Sequence, residues 1–180
     1  MDIWEEIRTS PEEGAKRLVA EFGDRLYEAA RILCRDECLA EDLVFRTFAR
    51  VVDKISLFKP EFSFWNWIYT ILINIYRSDV RKMHVVPLSD PSIAEEISDS
   101  AEEVGLCASD AETLRSAVGT LSPLLREAVM LRYFEDKSLA EMAEILQISK
   151  TAVKSRLYLA RVQLRTVFAR RYGGAEEWRR

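Results

Sequence analysis

Polar and basic side chains recur at helical spacing within residues 63–82, which read SFWNWIYTILINIYRSDVRK. Five of them, three or four positions apart, form one narrow stripe that ends in positive charge: Asn66, Thr70, Asn74, Arg77 and Arg81. Amide and guanidinium groups are the side chains that proteins use on base edges and phosphates. The stripe is therefore a candidate nucleic-acid surface, and the alternative is a core helix with a solvated edge.

The opposite side of this segment is apolar. Ser63 is a candidate N-cap, because its hydroxyl can accept from a backbone N–H of the first turn. We predict a core face with an aromatic flank (Trp65, Tyr69 and Tyr76) beside it; the core residues are Phe64, Ile68, Ile71, Leu72 and Ile75. Trp67 is also expected to be core. The apolar run is shorter than the about 20 residues that a membrane span needs, so a soluble helix is predicted.

A second candidate surface lies near the C-terminus. Residues 150–172 contain seven basic residues and no acidic one. Ser138 and Glu141 have the spacing of a capping box for one helix, and Ser149 can cap the next after the short turn QIS. Two helices joined in this way form a helix-turn-helix, whose second helix enters the DNA major groove. The alternative is a solvated basic helix.

The basic helix divides into two faces. An apolar stripe should pack on the preceding helices, and it consists of Val153, Leu157, Ala160 and Leu164. Arg165 continues the adjoining polar face. The residues expected to contact DNA are Lys150, Thr151, Lys154, Ser155, Arg156, Tyr158 and Arg161.

Composition limits the remaining possibilities. The chain has 180 residues, enough for one domain or two small ones, and a net charge of −4, so it is not basic as a whole. The N-terminal MDIWEEIRTSPEE lacks the apolar core of a secretory signal, and we expect a cytoplasmic protein. Three cysteines and one histidine favour reduced thiols over a zinc site. No nucleophile–base pair or phosphate loop marks an enzyme, and no cofactor is expected.

The periodic segments are all helical, which predicts an all-α fold. Ser10, Pro11 and Glu13 mark one helix start, and a further helix is predicted over LAEDLVFRTFARVVDKI, with Leu39 among its apolar residues. Residues 88–112 contain no Lys or Arg and many acids, so they read as a flexible linker. The sequence thus predicts two small helical domains, 8–84 and 113–173, joined by an acidic linker at 85–112.

Two long segments resemble regions of one protein family. LSPLLREAVMLRYFEDKSLAEMAEILQISKTAVKSRLYLARVQLR is similar to region 4 of bacterial RNA polymerase sigma factors, and AEDLVFRTFARVVDKISLFKPEFSFWNWIYTILINIYRSDVRK is similar to region 2. Either half alone would be weaker evidence for this family, since response regulators end in a similar helix-turn-helix. A chain with only these two regions resembles the extracytoplasmic-function subfamily of the sigma-70 family.

This resemblance implies a role in transcription initiation. Region 2 would form a helical bundle that meets the −10 promoter element, and region 4 would place its helix-turn-helix on the −35 element. The implied partners are promoter DNA, the clamp and flap of core RNA polymerase, and an anti-sigma factor; contact with a membrane would arise only through a membrane-anchored anti-sigma factor. The −10 candidates, on the loop KPEFSF and the polar stripe, are Lys59, Phe62, Ser63, Asn74, Arg77 and Arg81.

The sequence departs from the family pattern at two places. The second region 2 helix usually reads DLVQ followed by an acid, a surface that meets the polymerase clamp. Here Asp42 is kept, while Phe45 and Arg46 replace the Gln and the acid, which changes the fit to a partner. Gln147 stands where the family often has Gly, and it would cost roughly 1 kcal/mol if that turn needs a positive φ.

Two other functions remain open. A stand-alone helix-turn-helix regulator would bind its promoter tightly without polymerase. A sigma-like decoy would only sequester an anti-sigma factor, and the altered DLVFRT surface is compatible with that role.

Overall fold

The computed structural model describes residues 2–83 and 110–172, and the described parts are helical. The described residues divide into two compact units, with 2–83 and Ala143–Gln147 in the first and 110–142 and 148–172 in the second. The predicted linker at 85–112 lies mostly outside the described residues. The all-α prediction is confirmed for the parts of the chain that the structure describes.

Residues 2–83, the larger part of the first unit, contain four α-helices. These are α1 (Ile3–Thr9), α2 (Pro11–Cys34), α3 (Glu37–Asp53) and α4 (Phe64–Met83), with a short 3₁₀ turn at Ile55–Leu57. Helix α2 packs against α1, α3 and α4, and α3 also packs against α4. The core between them contains Leu18, Leu26 and Leu33 of α2, Leu43 of α3 and Leu72 of α4, all of them buried.

Helix starts in this unit follow the predicted signals with one difference. Helix α2 begins at Pro11, as predicted, but the Ser10 side chain makes no cap hydrogen bond. The Ser63 hydroxyl does accept from the backbone N–H of Asn66, at 3.3 Å, as the N-cap prediction required. Helix α1 was not predicted, since seven residues are too few to show a clear helical period.

The buried face of α4 is rotated from the predicted one. Tyr69, Ile73 and Tyr76 are buried together with Ile68 and Leu72, whereas Phe64, Ile71 and Ile75 are only half-buried. The prediction of a pure core face was therefore partly wrong. The reason is that α4 packs against both α2 and α3, so a helix with aromatic residues on its flank buries that flank as well.

Residues 110–172 form α5 (Asp110–Gly119), α6 (Pro123–Val129), α7 (Leu139–Leu146) and α8 (Lys150–Tyr172), and the last four residues of α7 belong to the first unit. Helix α8 packs against α6 and α5 through its apolar stripe, in which Val153, Leu157 and Ala160 are buried. The segment LLREAVMLRYF begins as α6 and changes to a π-helical turn at Met130–Phe134. The Glu135 N–H donates to the Met130 carbonyl at 3.2 Å and closes that wider turn.

Candidate functional site

The loop between the 3₁₀ turn and α4 presents three of the six predicted −10 residues. Lys59, Phe62 and Ser63 are exposed, and Phe62 is 60% exposed although it is aromatic. The Phe62 N–H donates to the Lys59 carbonyl at 3.1 Å, which folds the loop into a tight turn. An exposed aromatic ring next to a lysine is suited to stacking on an unpaired base while the cation meets phosphate.

The polar stripe of α4 is less uniform than its spacing suggests. Asn74 and Arg81 are exposed, while Thr70 and Arg77 are half-buried. The Thr70 hydroxyl donates to the Asn66 carbonyl at 3.0 Å, within its own helix. Arg81 stands 18 positions after Ser63 along a continuous helix, which corresponds to about 27 Å at 1.5 Å per residue. The stripe and the loop therefore form an extended surface.

A groove between α3 and α4 holds one of the predicted residues. It has a volume of about 660 Å³, and its lining includes Asn74, Ile71 and Ile75 of α4 with Arg46 and Arg50 of α3. Asn74 thus lies beside the predicted polymerase-binding helix.

Arg46 is held by two acids of its own unit. Its Nη1 and Nη2 donate to Asp79 Oδ1 and Oδ2 at 3.1 and 2.5 Å, and its Nη2 lies 2.7 Å from Asp42 Oδ2. The hydrogen bonds that Arg46 donates to Asp79 raise the pKa of the Arg46 guanidinium above its ordinary value. Its charge is therefore balanced within the protein, and Arg46 ties α3 to α4.

Phe45 is the more exposed of the two departures from the family pattern on this helix. Its side chain is 73% exposed, whereas Arg46 is engaged in the ion pairs with Asp42 and Asp79. The surface therefore presents an exposed aromatic ring beside a cluster of balanced charges, and its role in binding polymerase stays a prediction.

The helix-turn-helix has the local geometry that its sequence predicted. The Ser138 N–H donates to Glu141 Oε2 at 2.9 Å, and the Glu141 N–H donates to Ser138 Oγ at 3.2 Å, which is a complete capping box. The Ala152 N–H donates to Ser149 Oγ at 3.1 Å and caps α8. Gln147 has φ = 56°, so the turn does require the left-handed backbone region.

Most predicted −35 residues lie on one exposed face of α8. Exposed side chains on this helix include those of Lys150, Thr151, Lys154, Ser155, Tyr158 and Arg161. The Ser155 hydroxyl donates to the Thr151 carbonyl at 3.1 Å, and Arg161 Nε donates to the Leu157 carbonyl at 3.2 Å. The face carries several cations with a tyrosine between them, a combination that fits a DNA backbone and base edges.

Arg156 differs from these neighbours. Its Nη1 lies 3.7 Å from Oε2 of Glu127, a carboxylate of α6 that has no exposed surface. A buried carboxylate requires a nearby cation or hydrogen bonds. Arg156 therefore connects α8 to α6, and sequence spacing could not reveal this because the two residues belong to different helices.

Residues 2–83 and 110–172 contain neither a metal-ligand cluster nor a membrane-spanning helix. No cluster of three or more His, Cys, Asp or Glu side chains in these ranges could hold a metal ion. Cys34 is half-buried, and Cys38 is an exposed free thiol. Within the same ranges, no helix is long and apolar enough to cross a membrane.

Family models match both helical regions of the chain. The model for Sigma-70 region 2 matches residues 18–84, and the model for Sigma-70, region 4, matches residues 111–164. The chain belongs to the sigma-70 family. Within that family it is an extracytoplasmic-function (ECF) sigma factor, a class of transcription initiation factors and not of enzymes.

Curated relatives and solved structures agree with this assignment. The sigma factor is 30% identical to RNA polymerase sigma factor YlaC of Bacillus subtilis (strain 168) over 70% of this chain and 75% of the relative. It is 32% identical to ECF RNA polymerase sigma factor EcfG of Rhodopseudomonas palustris (strain TIE-1) over 69% of this chain and 68% of EcfG. It also matches ECF RNA polymerase sigma factor SigE of Mycolicibacterium smegmatis (strain ATCC 700084 / mc(2)155), at 30% identity over 85% of this chain and 61% of SigE.

Chains of two solved complexes have a similar fold. The sigma factor RpoE of Bartonella quintana, solved with the anti-sigma factor NepR, is 25% identical, with a TM-score of 0.66 over 85% of this chain and 95% of RpoE. CnrH, solved with the cytosolic domain of CnrY, gives a TM-score of 0.67 over 93% and 96% of the two chains, and at 22% identity it supports the fold alone.

Proposed function

We propose that this ECF sigma factor binds core RNA polymerase in the cytoplasm and directs transcription from promoters with −10 and −35 elements. The observation that carries the proposal is that both family regions occur on one chain and each presents an exposed surface suited to DNA. Neither surface contains a nucleophile–base pair or a metal site.

In this proposal region 4 reads the −35 element through α8. Lys150, Thr151, Lys154 and Ser155 stand in its first two turns, the part of a recognition helix that reaches base edges. Arg161 lies farther along and would contact phosphate. Arg156 supports the helix through Glu127 instead of reading bases.

Region 2 would hold the opened −10 strand. The exposed loop Lys59–Ser63 would trap an unpaired base by stacking on Phe62, with Ser63 and the Lys59 ammonium at its edges and phosphate. Arg77 and Arg81 of α4 would follow the backbone, and Asn74 lies on the side of α4 that faces α3.

The α3 surface would meet the polymerase clamp. Asp42 and the exposed Phe45 are the residues that a partner helix would contact, and Arg46 would maintain their arrangement through Asp79. An aromatic side chain on a surface of balanced charge is typical of the buried anchor in a protein–protein interface. Regulation by an anti-sigma factor is part of the proposal, because relatives such as RpoE of Bartonella quintana form such complexes.

The test combines polymerase binding with transcription. Core RNA polymerase is captured by the full-length sigma factor, and the complex then transcribes a promoter library randomised at the −10 and −35 positions. Start-site-specific transcripts with a shared sequence at both positions are expected. A chain that fails to bind core polymerase, yet captures an anti-sigma factor, would instead act as a decoy.

One pair of variants separates the polymerase surface from general loss of apolar area. Phe45→Gln alters the 73% exposed ring on α3, while Val19→Gln alters a 52% exposed side chain on α2. We expect the affinity for core polymerase to change only with Phe45→Gln. Arg46→Glu is a poor test, because the new carboxylate would face Asp42 and Asp79 and disturb the fold.

A further inference from the structure

Helix α1 lies outside the region 2 match, which begins at residue 18, but it is firmly packed. Ile3 and Ile7 are buried against the unit, and Ile7 is only 1% exposed. A Cβ at Gly14 of α2 would lie 2.6 Å from the Ile7 backbone, so the two helices approach as closely as a glycine permits. Arg17 of α2 adds an ion pair of 2.8 Å to Glu6.

The last turn of α1 reaches the segment that precedes the −10 loop. Arg8 Nη2 donates to the Phe58 carbonyl at 2.7 Å and to the Ile55 carbonyl at 3.2 Å, and its Nε lies 3.4 Å from the same Ile55 oxygen. These carbonyls are at the start and just beyond the end of the 3₁₀ turn Ile55–Leu57. One guanidinium therefore fixes this turn through charge-assisted hydrogen bonds.

Aromatic contacts fix both ends of the loop. Trp4 of α1 contacts Phe58, with ring centroids 5.9 Å apart, and Phe58 is only 4% exposed. Phe58 contacts Phe64 and Trp67 of the first turn of α4 at 5.0 and 5.3 Å. The residues between Phe58 and Phe64 therefore form a loop that is anchored on both sides, and Arg8 anchors the first side.

We propose that Arg8 is a positioning residue for −10 recognition: it holds the Phe58 carbonyl and so sets where Lys59, Phe62 and Ser63 meet an unpaired base. The inference rests on the proposed function, since it assigns the source of −10 selectivity within it. Without the guanidinium, the loop keeps its side chains but loses the fixed start that pre-organises them for one base over another.

The experiment measures −10 selectivity with full-length protein and core polymerase. Transcription is compared between the preferred −10 sequence and single-base variants of it, with the −35 element held constant, for the wild type, Arg8→Met and Arg8→Lys. Lys16→Met is the matched control, because it removes an exposed α2 cation that pairs only locally with Glu12 and Glu13 in the described structure. Thermal unfolding and affinity for core polymerase are measured for each variant.

Arg8→Met should lower the ratio of transcription from the preferred to that from the altered −10 sequences about ten-fold. The reason is that the loop loses the hydrogen bonds that fix its start and therefore part of its pre-organisation. Arg8→Lys should recover part of the ratio, since one ammonium can hold one carbonyl, and Lys16→Met should match the wild type.

Equal loss of transcription at all −10 sequences, with an unchanged ratio, would overturn the inference by making Arg8 purely structural. If Arg8→Met does not fold, Arg8→Lys takes its place in the test. The inference would be overturned if Arg8→Lys matched the wild type both in −10 discrimination and in the protection of the loop from hydrogen exchange. A wild type without any −10 preference would instead contradict the proposed function.

Discussion

Gln147 stands in the left-handed backbone region, with φ = 56°, at the turn before the recognition helix. A residue with a Cβ is strained there and glycine is not, so Gln147→Gly should raise the free energy of unfolding by about 0.5–1 kcal/mol. Gln163→Gly is the control, because Gln163 is exposed in the interior of α8 and glycine there should cost about 1 kcal/mol. Chemical denaturation of both variants checks that their free energies of unfolding change in opposite directions. A lower free energy of unfolding for both would contradict the strain at Gln147.

Arg156 gives a second prediction at the residue scale. Removing its cation by Arg156→Met leaves the fully buried Glu127 carboxylate without its neighbour on α8, and we expect a loss of about 3 kcal/mol in unfolding free energy. Glu127→Gln combined with Arg156→Met should recover part of that loss, because the buried charge is then gone. Denaturant unfolding measures the coupling between the two residues, and additive effects would show that they do not interact.

Lys154 should behave differently, since its side chain is exposed on the same helix. Lys154→Ala should weaken binding to the −35 element by about 1–3 kcal/mol, lower −35-dependent transcription accordingly and leave thermal stability unchanged. Lys16→Ala, which removes a 62% exposed lysine side chain of α2, is the control. Equal transcription by the two variants would remove Lys154 from the −35 surface.

At the scale of elements, the contact between α1 and α2 depends on one missing Cβ. Gly14→Ala places a carbon 2.6 Å from the Ile7 backbone, so the helices must separate, and we expect a loss of about 1–3 kcal/mol in unfolding free energy. Gly23→Ala in the same helix meets only Val19 Cγ1 at 3.7 Å and should stabilise α2 by about 1 kcal/mol. The melting temperatures of Gly14→Ala and Gly23→Ala should move in opposite directions. A higher melting temperature for both variants would mean that α1 does not pack closely on α2 at Gly14.

The charge of the whole molecule sets how it meets DNA. The net charge is −4, although α8 carries seven Lys and Arg residues and no Asp or Glu. The chain alone should therefore bind promoter DNA weakly, at about 10⁻⁶ M or above, as nonspecific electrostatic binding does at physiological salt. With core polymerase present, specific binding in the range of about 10⁻⁸ M is expected.

Fluorescence anisotropy on a labelled promoter fragment, with and without core polymerase, measures this difference. A scrambled fragment of the same length is the control for nonspecific binding. Tight and sequence-specific binding by the isolated chain would favour the stand-alone regulator over the sigma factor.

The sequence alone was sufficient for features that are local along the chain. The capping box at Ser138 and Glu141, the caps at Ser63 and Ser149 and the start of α2 at Pro11 depend on residues within one turn of each other. The exposed face of α8 also followed from its spacing. These predictions succeeded because helix periodicity and end caps are decided by neighbouring residues.

Tertiary structure decided what joins distant segments. Arg46 and Asp79 are 33 positions apart, Arg8 and Phe58 are 50 apart, and Arg156 meets Glu127 of another helix. The face that α4 buries also depended on its contacts with α2 and α3. The sequence by itself determined the helices, the family and the basic recognition helix, whereas only packing determined which charges are balanced internally and which remain for a partner. The physical reason is that an ion pair or a buried ring depends on distance in space, which spacing along one helix does not specify.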